Sequence, residues 1–259
     1  MRFFLVILLL LSLASPALAL TVTDPYFSKQ TYLNQIRIEP AWDIITGTND
    51  VVVAVLDTGV DLDHPDLRDN IWINHSEIAG DGVDNDGNGY IDDINGWDFL
   101  EHDNTPVPNR TKTYTDVAVI HGTMIAGVIG AVANNSEGVA GINWKVKIMS
   151  LRILDSLGSG DATDVVTAIT YAVNNGADVI NLSFTGYDTD EALRQAVADA
   201  YSHGVTVVAA VGNQSNGGLD VDLKPIYPAC FKNENGKDWV IGVAAVTFEN
   251  KKAGFSIFN

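Results

Sequence analysis

Three polar residues stand where apolar runs of this chain stop. Asp57 follows Val53-Ala54-Val55-Leu56 and precedes Thr58-Gly59. His121 opens the small-residue run His121-Gly122-Thr123-Met124-Ile125-Ala126-Gly127-Val128-Ile129-Gly130, and Asn213 closes Ala209-Ala210-Val211-Gly212-Asn213. A histidine at such a mouth can hold one ring nitrogen toward a carboxylate and the other toward a nucleophile, which is what a general base requires. An amide side chain brought to a cleft by a preceding glycine can donate to an oxyanion as it develops. Taken singly, each has a plainer reading: Asp57 as a helix cap or solvated carboxylate, His121 as a core imidazole bonded to backbone, Asn213 as a turn residue.

Bringing the three together is the work of the elements around them. Apolar, β-branched runs at 51–56, 147–153, 178–184, 205–211 and 239–246 are continuous instead of alternating, as expected of strands buried on both faces. Between them, 162–174 carries Val165, Val166, Ile169, Ala172 and Val173 at helical spacing, and 190–203 repeats the pattern with Leu193, Ala196, Val197 and Ala200. Gly176 and Gly204 stop these helices. The run at 121–130 is so apolar that a wholly buried helix is expected. Strand and helix in alternation predict an α/β fold, a doubly wound, mostly parallel sheet with helices on both faces. Such sheets gather their sites at the carboxyl ends of the strands, where Asp57 and Asn213 fall.

Composition narrows the function. The 259 residues carry 15 Lys+Arg against 33 Asp+Glu, a formal charge of −18, so nucleic acid and anionic lipid would be met with repulsion. Residues 1–19 read as a secretory signal peptide: Arg2, an apolar core over 3–13, then Ala17-Leu18-Ala19. A secreted domain over 20–259 is expected, with no membrane anchor in the mature chain and a monomeric state. Its single cysteine, Cys230, has no partner for a disulfide and is expected to be a small buried or half-buried residue.

Together the segments resemble the subtilisin-like serine proteases, the subtilases. Val53-Ala54-Val55-Leu56-Asp57-Thr58-Gly59-Val60, followed by His64-Pro65-Asp66-Leu67, is similar to the family's aspartate motif. His121-Gly122-Thr123 is similar to its histidine motif, and Ala209-Ala210-Val211-Gly212-Asn213 to its oxyanion-hole motif. The resemblance implies a secreted endopeptidase in which Asp57 orients the imidazolium, His121 is the general base and acid, and Asn213 donates to the oxyanion. It also implies that Gly158-Ser159-Gly160 and Ser183-Phe184-Thr185-Gly186 form two walls, with backbone groups open to a polypeptide substrate bound as an extended strand. The family's serine motif, Gly-Thr-Ser-x-Ala-x-Pro, is not among these residues, and Phe255-Ser256-Ile257-Phe258-Asn259 resembles the segment shortly upstream of it. A domain truncated at its C-terminus, inactive as it stands, is therefore expected. Met124 replaces a frequent histidine and Thr185 a frequent glycine of the family, and no room is left for a long pro-domain before Asp24.

The acidic charge is concentrated. From Asp57 to Asp103 there are fourteen carboxylates and one basic residue, Arg68. Within this stretch, Asp84, Asp86 and Asn88 occupy positions 1, 3 and 5 of a loop with Gly89 at 6, the Tyr90 carbonyl at 7 and Asp92 at 9, the spacing of an EF-hand-like calcium loop. Asn95 replaces the usual glutamate at position 12, and Asp93 is the expected substitute. A solvated Asp/Gly turn is the alternative. By resemblance, Asp66 and Asn135 form a second calcium site, against an ordinary helix-to-strand loop. Calcium is thus the expected structural cofactor. Two rivals to the protease stand beside it: a non-catalytic pseudo-protease that binds peptides, and a calcium-dependent exported structural protein.

Overall fold

The computed structural model describes residues 20–214 and 220–257; the expected signal peptide, Ser215, Phe258 and Asn259 lie outside them. Six strands form one parallel sheet: β1 Gly47–Asp57, β2 Gly96–Asp98, β3 Lys145–Arg152, β4 Val179–Leu182, β5 Thr206–Ala210 and β6 Val240–Val243, in the order β2-β3-β1-β4-β5-β6. The five expected strands are all present. β2 was not anticipated, since its three residues, Gly96-Trp97-Asp98, are too few to display a period. The helices are α1 Thr31–Gln35, α2 Ile38–Trp42, α3 Asp116–Val119, α4 His121–Gly130, α5 Ala162–Asn174 and α6 Glu191–Ser202. Asp161 and Asp190 start α5 and α6 by accepting from the N–H groups of Thr163 and Leu193 at 2.8 Å each.

Alternation along β1 divides the core. Ala54 and Leu56 join the side chains of α5 and α6 in one apolar cluster, whereas Val53 and Val55 pack with Ala126 of α4 in another. Helices therefore cover both faces of the sheet, and each fully buried Val, Leu or Ile contributes about 1.5–3 kcal/mol. A third cluster, around Leu33, Trp42 and Ala140, pins the N-terminal segment. α4 differs from expectation. Its Gly122, Ala126 and Gly130 face inward, but Met124 and Val128 are 46% and 41% exposed, because the helix meets the sheet along one face only. Cys230 is half-buried, as expected. No helix among the described residues is long and apolar enough to cross a membrane.

From β1 the chain goes to the edge strand β2, returns to β3 between them, then crosses to β4, β5 and β6 on the other side. The carboxyl end of β1 is thus the topological switch point of the sheet, the place where such folds open a crevice.

Candidate active site

Asp57 is the last residue of β1 and is fully buried. Its carbonyl accepts from the N–H groups of Ile153 and Leu154, and its Oδ1 accepts from the Thr58 N–H at 2.7 Å. His121, the first residue of α4, places Nδ1 2.8 Å from both Oδ1 and Oδ2 of Asp57. The imidazole is 34% exposed, and Nε2 has no partner among the described residues. The hydrogen bond that His121 donates to Asp57 raises the pKa of His121 above its usual value; partial burial opposes this and the carboxylate charge adds to it. The arrangement needs glycine beside both residues. A Cβ on Gly122 would lie 2.4 Å from the Gly59 carbonyl oxygen, and Gly59 itself has φ +92° with its own Cβ position 2.6 Å from the Val107 carbonyl carbon. Thr58 closes the joint by accepting from the Gly122 N–H at 3.2 Å.

The register aligns Leu56, Leu182 and Ala209 across β1, β4 and β5. Adjacent strands lie about 4.8 Å apart, so the segments after Asp57, Leu182 and Ala210 share one edge of the sheet. Gly212, with φ +92°, turns the chain there, and Asn213 follows, exposed, its amide without a partner among the described residues. Ser183 accepts from the Asn181 amide at 2.9 Å, and a Cβ on Gly212 would lie 3.1 Å from Cγ2 of Thr185, so Thr185 flanks the approach to Asn213. Gly186 and Tyr227 exchange two backbone hydrogen bonds behind it. The other expected wall is more closed than its glycines suggested. The Ser159 carbonyl accepts from the Asp155 N–H, and the N–H groups of Gly158 and Ser159 are donated to the carbonyl and carboxylate of Asp155. Gly160 is required by packing, since its Cβ would meet the Ile153 carbonyl at 2.2 Å. Neither Ser159 nor Ser183 opens a helix.

In the acidic loop, ligand oxygens of Glu77, Asp84 and Asp86 come within 4.8 Å of one another. Among the described residues none of the three has an ion-pair partner, so a hard cation with oxygen ligands fits this donor set. Two of its members were expected. Glu77 was not, because it lies outside the loop's spacing and only the fold brings it in; it is buried and accepts from the N–H groups of Asn85, Asp86 and Asp92. Asn88 accepts from the Tyr90 N–H and donates to Asp86 and Asp93. Asp92 is turned away from the cluster and accepts from the N–H groups of Gly80, Asp81 and Gly82. Asp93, fully buried, accepts from Asn74, Asn88 and the hydroxyl of Tyr171, anchoring the loop to α5. Asp66 and Asn135 do meet, at 2.9 Å, and Asp66 also accepts from the Val139 N–H. Buried Asp24 joins the same loop through the N–H groups of Asn134 and Asn135, a contact that no local spacing announces.

The sequence matches the profile of the Subtilase family over residues 48–259. Thermitase of Thermoactinomyces vulgaris is 37% identical over 239 residues, spanning 92% of this chain and 70% of the relative. The thermophilic serine proteinase of Bacillus sp. (strain AK1) is 33% identical, with 92% of this chain and 49% of the relative covered. For subtilisin E of Bacillus subtilis (strain 168) the figures are 35%, 82% and 44%, so the chain spans less than half of that protein. A solved structure of proteases from Pseudoalteromonas arctica superposes with a TM-score of 0.70 at 29% identity, covering 92% of this chain and 69% of that one.

Proposed function

Since the chain belongs to the subtilase family of serine peptidases, we propose that it forms the aspartate, histidine and oxyanion-hole part of a secreted endopeptidase whose nucleophilic serine lies on sequence outside these 259 residues. The observation that carries this reading is the contact of His121 Nδ1 with the buried carboxylate of Asp57 at the switch point of the sheet. Asp57 fixes the tautomer with the proton on Nδ1 and stabilises the imidazolium. His121 Nε2 then takes the serine proton as the hydroxyl oxygen attacks the substrate carbonyl, and returns it to the leaving amine. The Asn213 amide donates to the oxyanion of the tetrahedral intermediate, and water resolves the acyl-enzyme by the same route. The substrate lies as an extended strand beside Ser183, Phe184 and Thr185, with Gly158, Ser159 and Gly160 opposite.

An open apolar surface supports the placement of the serine. Val51, Val53, Val179, Val208 and Ile129 line a groove of about 600 Å³ against the sheet. One more helix there would extend the two-sided cover that a parallel sheet requires. Glu77, Asp84 and Asp86, with Asn88 nearby, would hold calcium, which when bound would offset the repulsion of their carboxylates.

Extending the coding sequence past residue 259 tests the reading. A Gly-Thr-Ser motif is expected there, and the extended protein should be labelled by a fluorophosphonate in a manner abolished by His121→Ala. A folded, exported product that binds peptides without being labelled would sink the enzyme and establish the pseudo-protease.

A further inference from the structure

We propose that Ser256 is a positioning residue that holds Asn213 in place at the sheet edge, an inference that rests on the oxyanion role proposed for Asn213. Asn213 lies beyond the last residue of β5 and after a glycine with φ +92°, and its side-chain amide has no hydrogen-bond partner among the described residues. Its placement must come from its backbone. The peptide groups on either side are both bonded to one segment: the Ile257 N–H donates to the Gly212 carbonyl at 3.1 Å, and the Gln214 N–H donates to the Phe255 carbonyl at 2.7 Å. Ser256 stands directly across from Asn213 in this antiparallel pairing.

The segment is itself held by the Ser256 hydroxyl. Ser256 is fully buried, and Oγ accepts from the Ala245 N–H at 2.9 Å while donating to the Ile257 carbonyl at 2.9 Å. Ala245 follows β6, which is paired with β5 through Ala210 and Val243, and the Val211 N–H donates to the Val243 carbonyl. A circuit results, from β5 through Gly212–Gln214 to residues 255–257, through the Ser256 hydroxyl to Ala245, and back through β6. A small apolar residue would fill the space equally well, but only a hydroxyl both accepts from the Ala245 N–H beyond β6 and donates to the Ile257 carbonyl within its own segment. Without it, the half-buried Ala245 N–H and the buried Ile257 carbonyl lose their partner and the clamp on Asn213 opens.

Amide relaxation and hydrogen exchange on the ¹⁵N-labelled 259-residue chain test this without any hydrolysis. In Ser256→Ala the order parameter of the Asn213 backbone amide should fall from near the rigid value of about 0.85 to below about 0.6. Exchange at Gln214 should quicken, with β1 and β3 amides unchanged. Unchanged order at Asn213, or equal loosening of β1 and β3, overturns the proposal. Should Ser256→Ala not fold, Ser256→Cys carries the test, since a thiol is the weaker donor: Asn213 must become more mobile than β6, and equal mobility overturns it. Because no reaction is read, failure of the protease reading leaves this result standing, and failure here leaves that reading untouched.

Discussion

His121 Nδ1 lies 2.8 Å from each carboxylate oxygen of Asp57, and the carboxylate has no contact with solvent. A buried carboxylate with a shared imidazole favours the protonated ring, and its hydrogen bond is the largest cause of the raised His121 pKa. The ring should therefore titrate above about 6.5, the ordinary imidazole value, by NMR of its carbon-bound protons, and fall back toward it in Asp57→Asn. A pKa raised by folding stabilises the fold fully below the unfolded value and loses that contribution as pH rises through the folded one. The unfolding temperature should decline over that window in the native chain more than in Asp57→Asn. A His121 midpoint at or below 6.5 would overturn the assignment. Hydrolysis by the extended enzyme, which needs neutral His121 as base, should rise with pH through the same midpoint.

Two of the three glycines of α4, Gly122 and Gly127, should respond oppositely to alanine. At Gly122 the new Cβ meets backbone, 2.4 Å from the Gly59 oxygen and 3.1 Å from Cβ of Asp57, so helix and strand must separate. Gly122→Ala should cost about 2–3 kcal/mol and shift the His121 titration, because the displaced element carries that ring. At Gly127 no atom lies within 4 Å, and Gly127→Ala should gain about 0.5–1 kcal/mol from helix propensity. Urea unfolding of both variants decides it, and equal effects would refute the close approach.

These elements also mark what the sequence could reveal. The strands from β1 to β6, except β2, are continuous β-branched runs, although only Val240 of β6 is buried, and Asp57 and Asn213 end such runs, so they were visible as interruptions. His121 was visible because it precedes small residues that permit contact with β1. Glu77 and Asp24 were not, since each reaches its partners through a fold in the chain without a fixed spacing. Asp92 satisfied the loop's spacing but serves three backbone N–H groups instead, and the backbone groups of Gly158 and Ser159 are taken by Asp155, whose side chain no periodicity places. Local pattern locates strands and their ends. It does not count which hydrogen-bonding groups remain free.

Beside the site, Arg152 pairs in register with both Asp57 and Asp98, and its guanidinium is ion-paired with Asp98, each residue 2% exposed. Removing Arg152 strands the Asp98 charge, and removing Asp98 leaves Arg152 only the more distant Glu101 carboxylate at 3.9 Å, but the two sides are unequal. Burial pushes the Asp98 carboxyl above its ordinary range even with Arg152 present, so that group can neutralise; a guanidinium cannot. Asp98→Ala should cost about 3–5 kcal/mol at pH 7 and stay as costly on acidification. Arg152→Met should cost less, and less still at pH 5 as Asp98 takes up a proton. Denaturant midpoints at the two pH values test this, and a penalty for Arg152→Met that does not shrink at pH 5 would contradict it.

The acidic loop makes the last prediction, and its sign is set by where the carboxylates sit. Glu77, Asp84 and Asp86 crowd together without an ion-pair partner among the described residues, while Asp93 beneath them is already satisfied by Asn74, Asn88 and Tyr171. The upper cluster therefore carries repulsion that a cation relieves, and the lower contact tethers the relieved loop to α5. Calcium at about one hundred times its dissociation constant should raise stability by about 2.7 kcal/mol, seen as a higher unfolding temperature that excess chelator reverses. Asp84→Asn with Asp86→Asn should abolish the shift, since both ligand charges are gone. Asp92→Asn should retain a calcium shift while lowering stability with and without the metal, because its carboxylate caps the Gly80–Gly82 turn. If calcium leaves the unfolding temperature of the parent unchanged, the loop is a solvated acidic turn and the cation assignment fails.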